Sequence, residues 1–334
     1  MNGYERTVKF VRGEPVDRPP FMPLAIEWIA REQGIPYPEF VYEPEKRIRA
    51  YSGAVKKYDI DCVLPDADFY EQLEDFGSKP VFDGKAFSAA PIIEDVTELS
   101  HLSLPEYAPG TREGNRLAVL RALADEFKGE KYIFGITVGP FTEFCNARGV
   151  EDALCDLMDD ADAVAEAMRI FFENGMRFID AQLEAGADGI QIVEPCCSLI
   201  PPALYEEHVL PLHRKMIERV QRGRDDGFAR LHICGDTNRL LPVLLGTGTR
   251  ILDVDYQVDV EAGAKLLAPG QVFCGNLSPA SDVLNGTPED FAEKVRRIDE
   301  ATGRRIIISA GCDIPPATTV ENMIAFHDAA ANLA

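Results

Sequence analysis

Residues 189–236 read GIQIVEPCCSLIPPALYEEHVLPLHRKMIERVQRGRDDGFARLHICGD, an apolar run, a long amphipathic stretch and a second apolar run. The two runs, 189–193 and 230–234, are short and continuously apolar or β-branched in large part, as expected of parallel strands buried on both faces. Between them, 202–222 places apolar residues at helical spacing. Working outward, the same alternation recurs. Strands are expected at 21–26, 61–64, 132–138, 250–254, 271–274 and 305–309, and helices over 45–58, 161–185 and 288–301. Eight such repeats predict an α/β fold, a (β/α)8 TIM barrel, with residues 1–334 as a single domain. The stretch 69–105 departs from this rhythm. Its VFDGKAFSA (81–89) reads as a tight turn between short strands, hence a small insertion after the second strand.

Composition narrows the function classes. A formal charge of −22 and a pI near 4.6 oppose binding to nucleic acid, whose phosphates such a chain repels, and no local basic patch offsets it. The opening MNGYERTVKFVRGEPVDRPP has no apolar core, and no stretch is long and apolar enough to cross a bilayer, so a cytoplasmic protein without a membrane partner is expected. Eight cysteines do not make a dense disulfide framework in a chain of this length. Cys62, Cys145, Cys155 and Cys274 stand singly in apolar surroundings and read as small buried hydrophobes. Cys196 and Cys197 read as packing, because adjacent residues on an extended chain face opposite ways.

The remaining two cysteines carry chemistry. LHICGD (231–236) sets His232 and Cys234 two apart at the end of the fifth strand, where alternate side chains point the same way. SAGCDIP (309–315) sets Cys312 just past the eighth strand. Strand ends of a barrel converge on one mouth, so these three distant residues can meet there. One imidazole and two thiolates form a soft donor set that suits Zn²⁺, with a fourth position left for a weaker ligand or a substrate. Asp255, closing ILDVD (251–255), is the first candidate for that position, Glu194, closing IQIVE (190–194), the second, and water the default. Glu194, Asn276 and Asp66 are also candidates for orienting a substrate at the same mouth. His208 and His213, five apart on a helix, read as surface or packing residues. The acidic MDDADAVAEA (158–167) reads as a solvated helix start.

These motifs resemble the uroporphyrinogen decarboxylase superfamily, and within it the zinc-dependent branch of cobalamin methyltransferases. The likeness runs nearly end to end, through GEPVDRPPFMP (13–23), IPPALYEEHVLPLHRKM (200–216), CGNLSP (274–279), GTPEDFAEKVRRI (286–298) and GCDIPPATTVENMIAF (311–326). Enzymes of that branch that pass a methyl group from a methylated corrinoid protein to a thiol such as coenzyme M carry HxC and a distant Cys, a pattern that falls here on His232, Cys234 and Cys312. Cobalamin-independent methionine synthase, similar in fold, adds an acidic ligand that would correspond to Asp255, here an aspartate rather than the usual glutamate. The decarboxylases carry an arginine-rich segment after the first strand. This chain has PLAIEWIAREQG (23–34), with Glu27, Trp28 and only Arg31, which speaks against a tetrapyrrole substrate. The resemblance therefore implies a zinc methyltransferase whose cobalamin arrives on a partner corrinoid protein, since the DxHxxG type of cobalt-ligating motif is absent. It leaves open a demethylase that passes a substrate methyl group to Co(I), a tetrahydrofolate acceptor, and a non-catalytic corrinoid- or metal-binding module.

Overall fold

The computed structural model describes residues 1–84 and 87–333. Its strands are β1 (Cys62–Val63), the short pair β2 (Val81–Phe82) and β3 (Phe87–Ser88), β4 (Tyr132–Val138), β5 (Gly189–Val193), β6 (Ala229–Ile233), β7 (Ile251–Val254), β8 (Val272–Leu277) and β9 (Ile306–Ala310). Seven of them form one parallel sheet in the order β1-β4-β5-β6-β7-β8-β9. Every residue of β4 to β9 is buried, as a sheet covered by crossover helices requires. The strands antiparallel to one another, β2 and β3, pair Val81 with Ser88 and Phe82 with Phe87. Residues 85–86, part of the turn expected from the sequence, lie outside the described residues.

The expected first strand, 21–26, is corrected. Only Phe21 bridges its neighbour, Ile308, and Ile26 already begins the helix Ile26–Glu32. Pro19, Pro20 and Pro23 explain this, because each lacks the N–H that a ladder needs. The segment still closes the barrel: Met22 N donates to Ile308 O at 3.0 Å, Ile308 N to Pro20 O at 2.9 Å and Asp61 N to Phe21 O at 3.0 Å. Asp61, fully buried, ties the seam further by accepting from Arg6 and Arg18 (both 2.5 Å) and from Phe21 N (2.8 Å). Cys155 is corrected as well, being exposed, whereas Cys62, Cys145 and Cys274 are buried. The helix expected over 202–222 runs as Pro202–Leu204, a π-helical turn Tyr205–Val209 and Leu210–Gln221. Pro211 sits just after the wide turn, where a missing N–H and a ring against the preceding turn disfavour regular α-helix. Asp160 caps the helix Ala161–Glu184 by accepting from Ala163 N, consistent with the acidic run as a helix start. Among the described residues no helix is long and apolar enough to cross a membrane.

Register decides which side chains enter the barrel. Val193 pairs with His232, His232 with Asp253, Asp253 with Cys274, and Asn276 with Ser309. Paired residues of parallel strands face the same side, so Arg230, His232 and Asp253 share a face. Glu194, one residue beyond Val193, turns the other way.

One buried carboxylate outside the mouth yields a stability prediction. Asp188, just before β5, accepts from Ile133 N at 2.9 Å and is 7% exposed. Burial raises its pKa to about 6, against the opposing pull of the Ile133 amide, Lys128 and Arg224, with Asp226 adding to the rise. An acid whose folded pKa lies above its unfolded value costs no stability below about pH 4, and the cost grows between about pH 4 and 6. Asp188→Asn keeps an oxygen for the Ile133 amide. It is expected to raise the unfolding free energy at neutral pH by about 1–2 kcal/mol and to leave it unchanged near pH 4, in urea titrations at both pH values.

Candidate metal centre

Two strand ends build the centre. His232 lies within β6 and Cys234 just beyond it, and Cys312 follows β9 by two residues. Gly311 lets that loop approach the one after β7, for a Cβ there would lie 2.4 Å from Tyr256 N, while its own N–H donates to Leu277 O at 2.8 Å. The ligating atoms of His232, Cys234 and Cys312 all lie within 4.8 Å of one another. His232 Nε2 is 2.8 Å from Cys234 Sγ, and the two sulfurs are 3.6 Å apart. Two thiolates on a tetrahedral zinc, each about 2.3 Å from it, would be separated by roughly 3.8 Å. The sulfur spacing fits that ion, and the imidazole, now in hydrogen-bond contact with Cys234, would draw back from it to share the metal.

The other face of the imidazole is anchored. His232 Nδ1 lies 2.8 Å from Asp253 Oδ2, and Arg230 Nη2 is 2.5 Å from the same oxygen. All three residues are at most 2% exposed. Burial pulls the His232 pKa down, but the Asp253 carboxylate and then Cys312 outweigh it and lift it to about 10. The Cys312 thiol falls to about 5 because the Cys234 thiol donates to it and His232 adds a second hydrogen bond, against the cost of burial. Cys234 moves up correspondingly, first through that shared hydrogen bond and then through burial. Without a metal the cluster holds one thiolate against protons that a divalent cation would displace.

The remaining expected residues take other places. Asp255 is buried, and its Oδ1 accepts from Gln257 N (3.0 Å) and Gln257 Nε2 (3.4 Å), outside the group of three donors. Glu194 faces the surrounding helices: Oε1 accepts from Thr142 N (2.5 Å), and Oε2 from His213 Nε2 (2.8 Å), whose Nδ1 meets the Tyr205 hydroxyl at 2.7 Å. Gly139 makes room for it, since a Cβ there would overlap the Glu194 carboxylate at 1.6 Å. Asn276 donates to Val258 O (3.2 Å) and Asp255 O (3.5 Å), pinning the loop after β7. Asp66 accepts from Ala67 N (2.8 Å) and Arg116 (2.9 Å) through Oδ1, and its buried Oδ2 has no partner. Next to Cys312, Asp313 accepts from Ile26 N at 2.8 Å. Burial raises the pKa of Asp66, Asp313 and Glu27 alike, which favours their neutral, protonated forms.

Sequence reasoning missed Asp253 and Arg230. The signal was present in ILDVD, where Asp253 has the same parity as Asp255, but choosing between them needed the β6–β7 register.

Comparison with known proteins bears on this geometry. The family described as uroporphyrinogen decarboxylase (URO-D) matches residues 2–333. The chain belongs to that family. Among curated relatives, the methylcobamide:CoM methyltransferase MtbA of Methanosarcina acetivorans is 28% identical, covering 98% of this chain and 97% of its own length, and MtbA of Methanosarcina mazei is 27% identical over the same shares. The uroporphyrinogen decarboxylase of Streptomyces avermitilis is 26% identical, covering 93% of this chain and 89% of its own. Among solved structures, a methyltransferase from Methanosarcina mazei superposes with a TM-score of 0.88 at 22% identity, covering 98% of each chain. A B12-independent methionine synthase from Shewanella sp. W3-18-1 reaches 0.65 at 14% identity, covering 94% of this chain and 97% of that one. Both likenesses concern the fold, a closed barrel of parallel strands and helices.

Proposed function

We propose that this chain is a cytoplasmic, zinc-dependent methyltransferase that moves a methyl group between a corrinoid carried by a partner protein and a small thiol, such as the coenzyme M named for its relatives. The observation that carries the reading is the convergence of His232, Cys234 and Cys312 at one barrel mouth, with no fourth donor in their group among the described residues. Bound there, Zn²⁺ would turn a thiol that is mostly protonated at neutral pH into a thiolate held for reaction. His232, Cys234 and Cys312 would be its ligands. Asp255, the first candidate for a fourth ligand, is close enough for its charge to act on Cys234, while Glu194 is committed to Thr142 and His213.

The chemistry is a displacement at carbon. In the proposed direction the acceptor sulfur would bond to the methyl group of the partner's methylcorrinoid as its Co–C bond breaks, with the electron pair left on cobalt as Co(I) and the thiol proton passing to solvent. This chain's residues fix the sulfur, limit water around it and line the approach. Asp66 and Asn276 would orient the acceptor, Asp66 through its unpartnered Oδ2. The segment after the seam supports a methyltransferase over a tetrapyrrole decarboxylase. Trp28 Nε1 is spent on Thr318 O at 2.8 Å and exposed Arg31 on Pro316 O at 2.6 Å, so this segment offers no cluster of arginines for a tetrapyrrole's carboxylates.

The test is the loss of methylcobalamin absorbance with the zinc-loaded protein, with and without 2-mercaptoethanesulfonate. Thiol-dependent demethylation supports the proposal. Methyl transfer to tetrahydrofolate instead, or methylation of Co(I) from a methylated small molecule, would change the acceptor or the direction. Decarboxylation of uroporphyrinogen, or tight corrinoid binding without any methyl transfer, would overturn it.

A further inference from the structure

We infer that Asp253, held by Arg230, is a positioning residue that fixes the ring of His232 so that Nε2, and not Nδ1, is the nitrogen offered to the metal. The inference rests on the zinc reading above and deepens it. Three distances carry it. His232 Nδ1 lies 2.8 Å from Asp253 Oδ2, Arg230 Nη2 lies 2.5 Å from that same oxygen, and His232 Nε2 lies 2.8 Å from Cys234 Sγ. A carboxylate can only accept, so Asp253 favours a proton on Nδ1, and a metal that displaces the Nε2 proton would find that nitrogen already turned toward Cys234. The ring has no freedom to turn over, because Arg230, His232 and Asp253 are 0%, 1% and 2% exposed.

Register makes the arrangement a property of the fold. His232 and Asp253 are direct partners across β6 and β7, and Arg230 precedes His232 by two on the same face. Arg230 is needed because a carboxylate this deep in the barrel would otherwise be an uncompensated charge. Besides Asp253, the groups that act on Arg230 are Cys62 and Cys274, both buried and both pushed above the usual thiol range by burial, so neither competes for the guanidinium as an anion at neutral pH. The guanidinium is therefore committed to Asp253, and Asp253 to the imidazole. Outer partners of this kind typically set metal affinity by 10–100-fold.

Truncating Asp253 alone would strand Arg230 in the barrel and could unfold the chain. The experiment therefore uses two double variants of the full chain, Arg230→Met with Asp253→Asn, and Arg230→Met with Asp253→Leu. Both remove the buried charge, and only the first keeps an oxygen for Nδ1–H. Zinc affinity is measured by chelator competition, the visible spectrum of the Co²⁺-substituted protein reports the ligand set, and melting curves of the metal-free proteins monitor the fold. The Asn pair is expected to bind zinc within a few-fold of wild type and to keep its cobalt spectrum. The Leu pair is expected to bind about 10–100-fold more weakly at an unchanged metal-free melting temperature. Equal affinities for both pairs, whether both match wild type or both are weakened alike, would overturn the inference and leave the zinc reading standing. Failure of the wild-type chain itself to bind zinc would overturn that reading, and the inference with it.

Discussion

Cys312→Ala is expected to strip the protein of zinc and of any thiol-dependent methyl transfer while leaving the fold intact. The residue supplies one of the three donors clustered there among the described residues, and its sulfur carries the lowered pKa that makes it the first thiolate of the site. Loss of a supporting outer partner already costs roughly 10–100-fold in metal affinity, so loss of a direct ligand should cost more than that. The stability cost should stay within about 1 kcal/mol, because Cys312 is half-buried at a loop and its removal opens no core cavity. Measuring zinc by mass spectrometry beside a urea titration separates the two effects. A variant that keeps full zinc and full activity would contradict the site, and one that loses both along with its fold would assign Cys312 a structural role instead.

Asp61→Ala should have the largest effect on stability. Its carboxylate is fully buried at the seam where the proline-rich first segment meets β1, and it satisfies Arg6, Arg18 and the Phe21 amide at once. Removing one partner of a buried ion pair costs about 3–5 kcal/mol, since the cations stay behind in the protein. Here Arg6 retains Asp17 at 2.8 Å, and Arg18 has Asp59 at 3.6 Å, both more exposed carboxylates. The loss should therefore fall near 3 kcal/mol, a large share of the roughly 5–15 kcal/mol that holds a typical protein folded. Urea unfolding with an unchanged slope and a markedly lower midpoint is expected. A midpoint shifted by less than 1 kcal/mol equivalent would mean that the seam is held by backbone pairing alone.

Where apolar runs were continuous, the sequence was a good guide. The strands from β4 to β9 begin and end within a few residues of the expected ranges, because burial on both faces leaves an unbroken apolar signature. The first strand was misjudged for a local reason. Phe21 and Met22 look like strand residues, but the prolines around them remove the ladder donors and leave a single bridge. The clustering of His232, Cys234 and Cys312 was legible because all three sit at strand ends, and the mouth of a barrel brings strand ends together whatever their separation in sequence. Facing direction was harder. Glu194 follows its strand as directly as Cys234 follows β6, yet register turns it toward His213 and the helix Pro140–Arg148. Asp253 was hidden for the converse reason. Its role depends on which residue of β7 stands opposite His232, a pairing that composition does not encode. His213 likewise has its partners in other elements, Glu194 past β5 and Tyr205 in the π-helical turn, which helical periodicity does not reveal.

The central claim is that His232, Cys234 and Cys312 hold a zinc ion that serves methyl transfer. X-ray absorption at the zinc edge of the purified protein tests it most directly, read together with metal content. The account predicts about one zinc per chain, with two sulfur neighbours near 2.3 Å, one imidazole and one further light ligand. A chain that takes up no zinc, or a zinc with no sulfur neighbours, would contradict it.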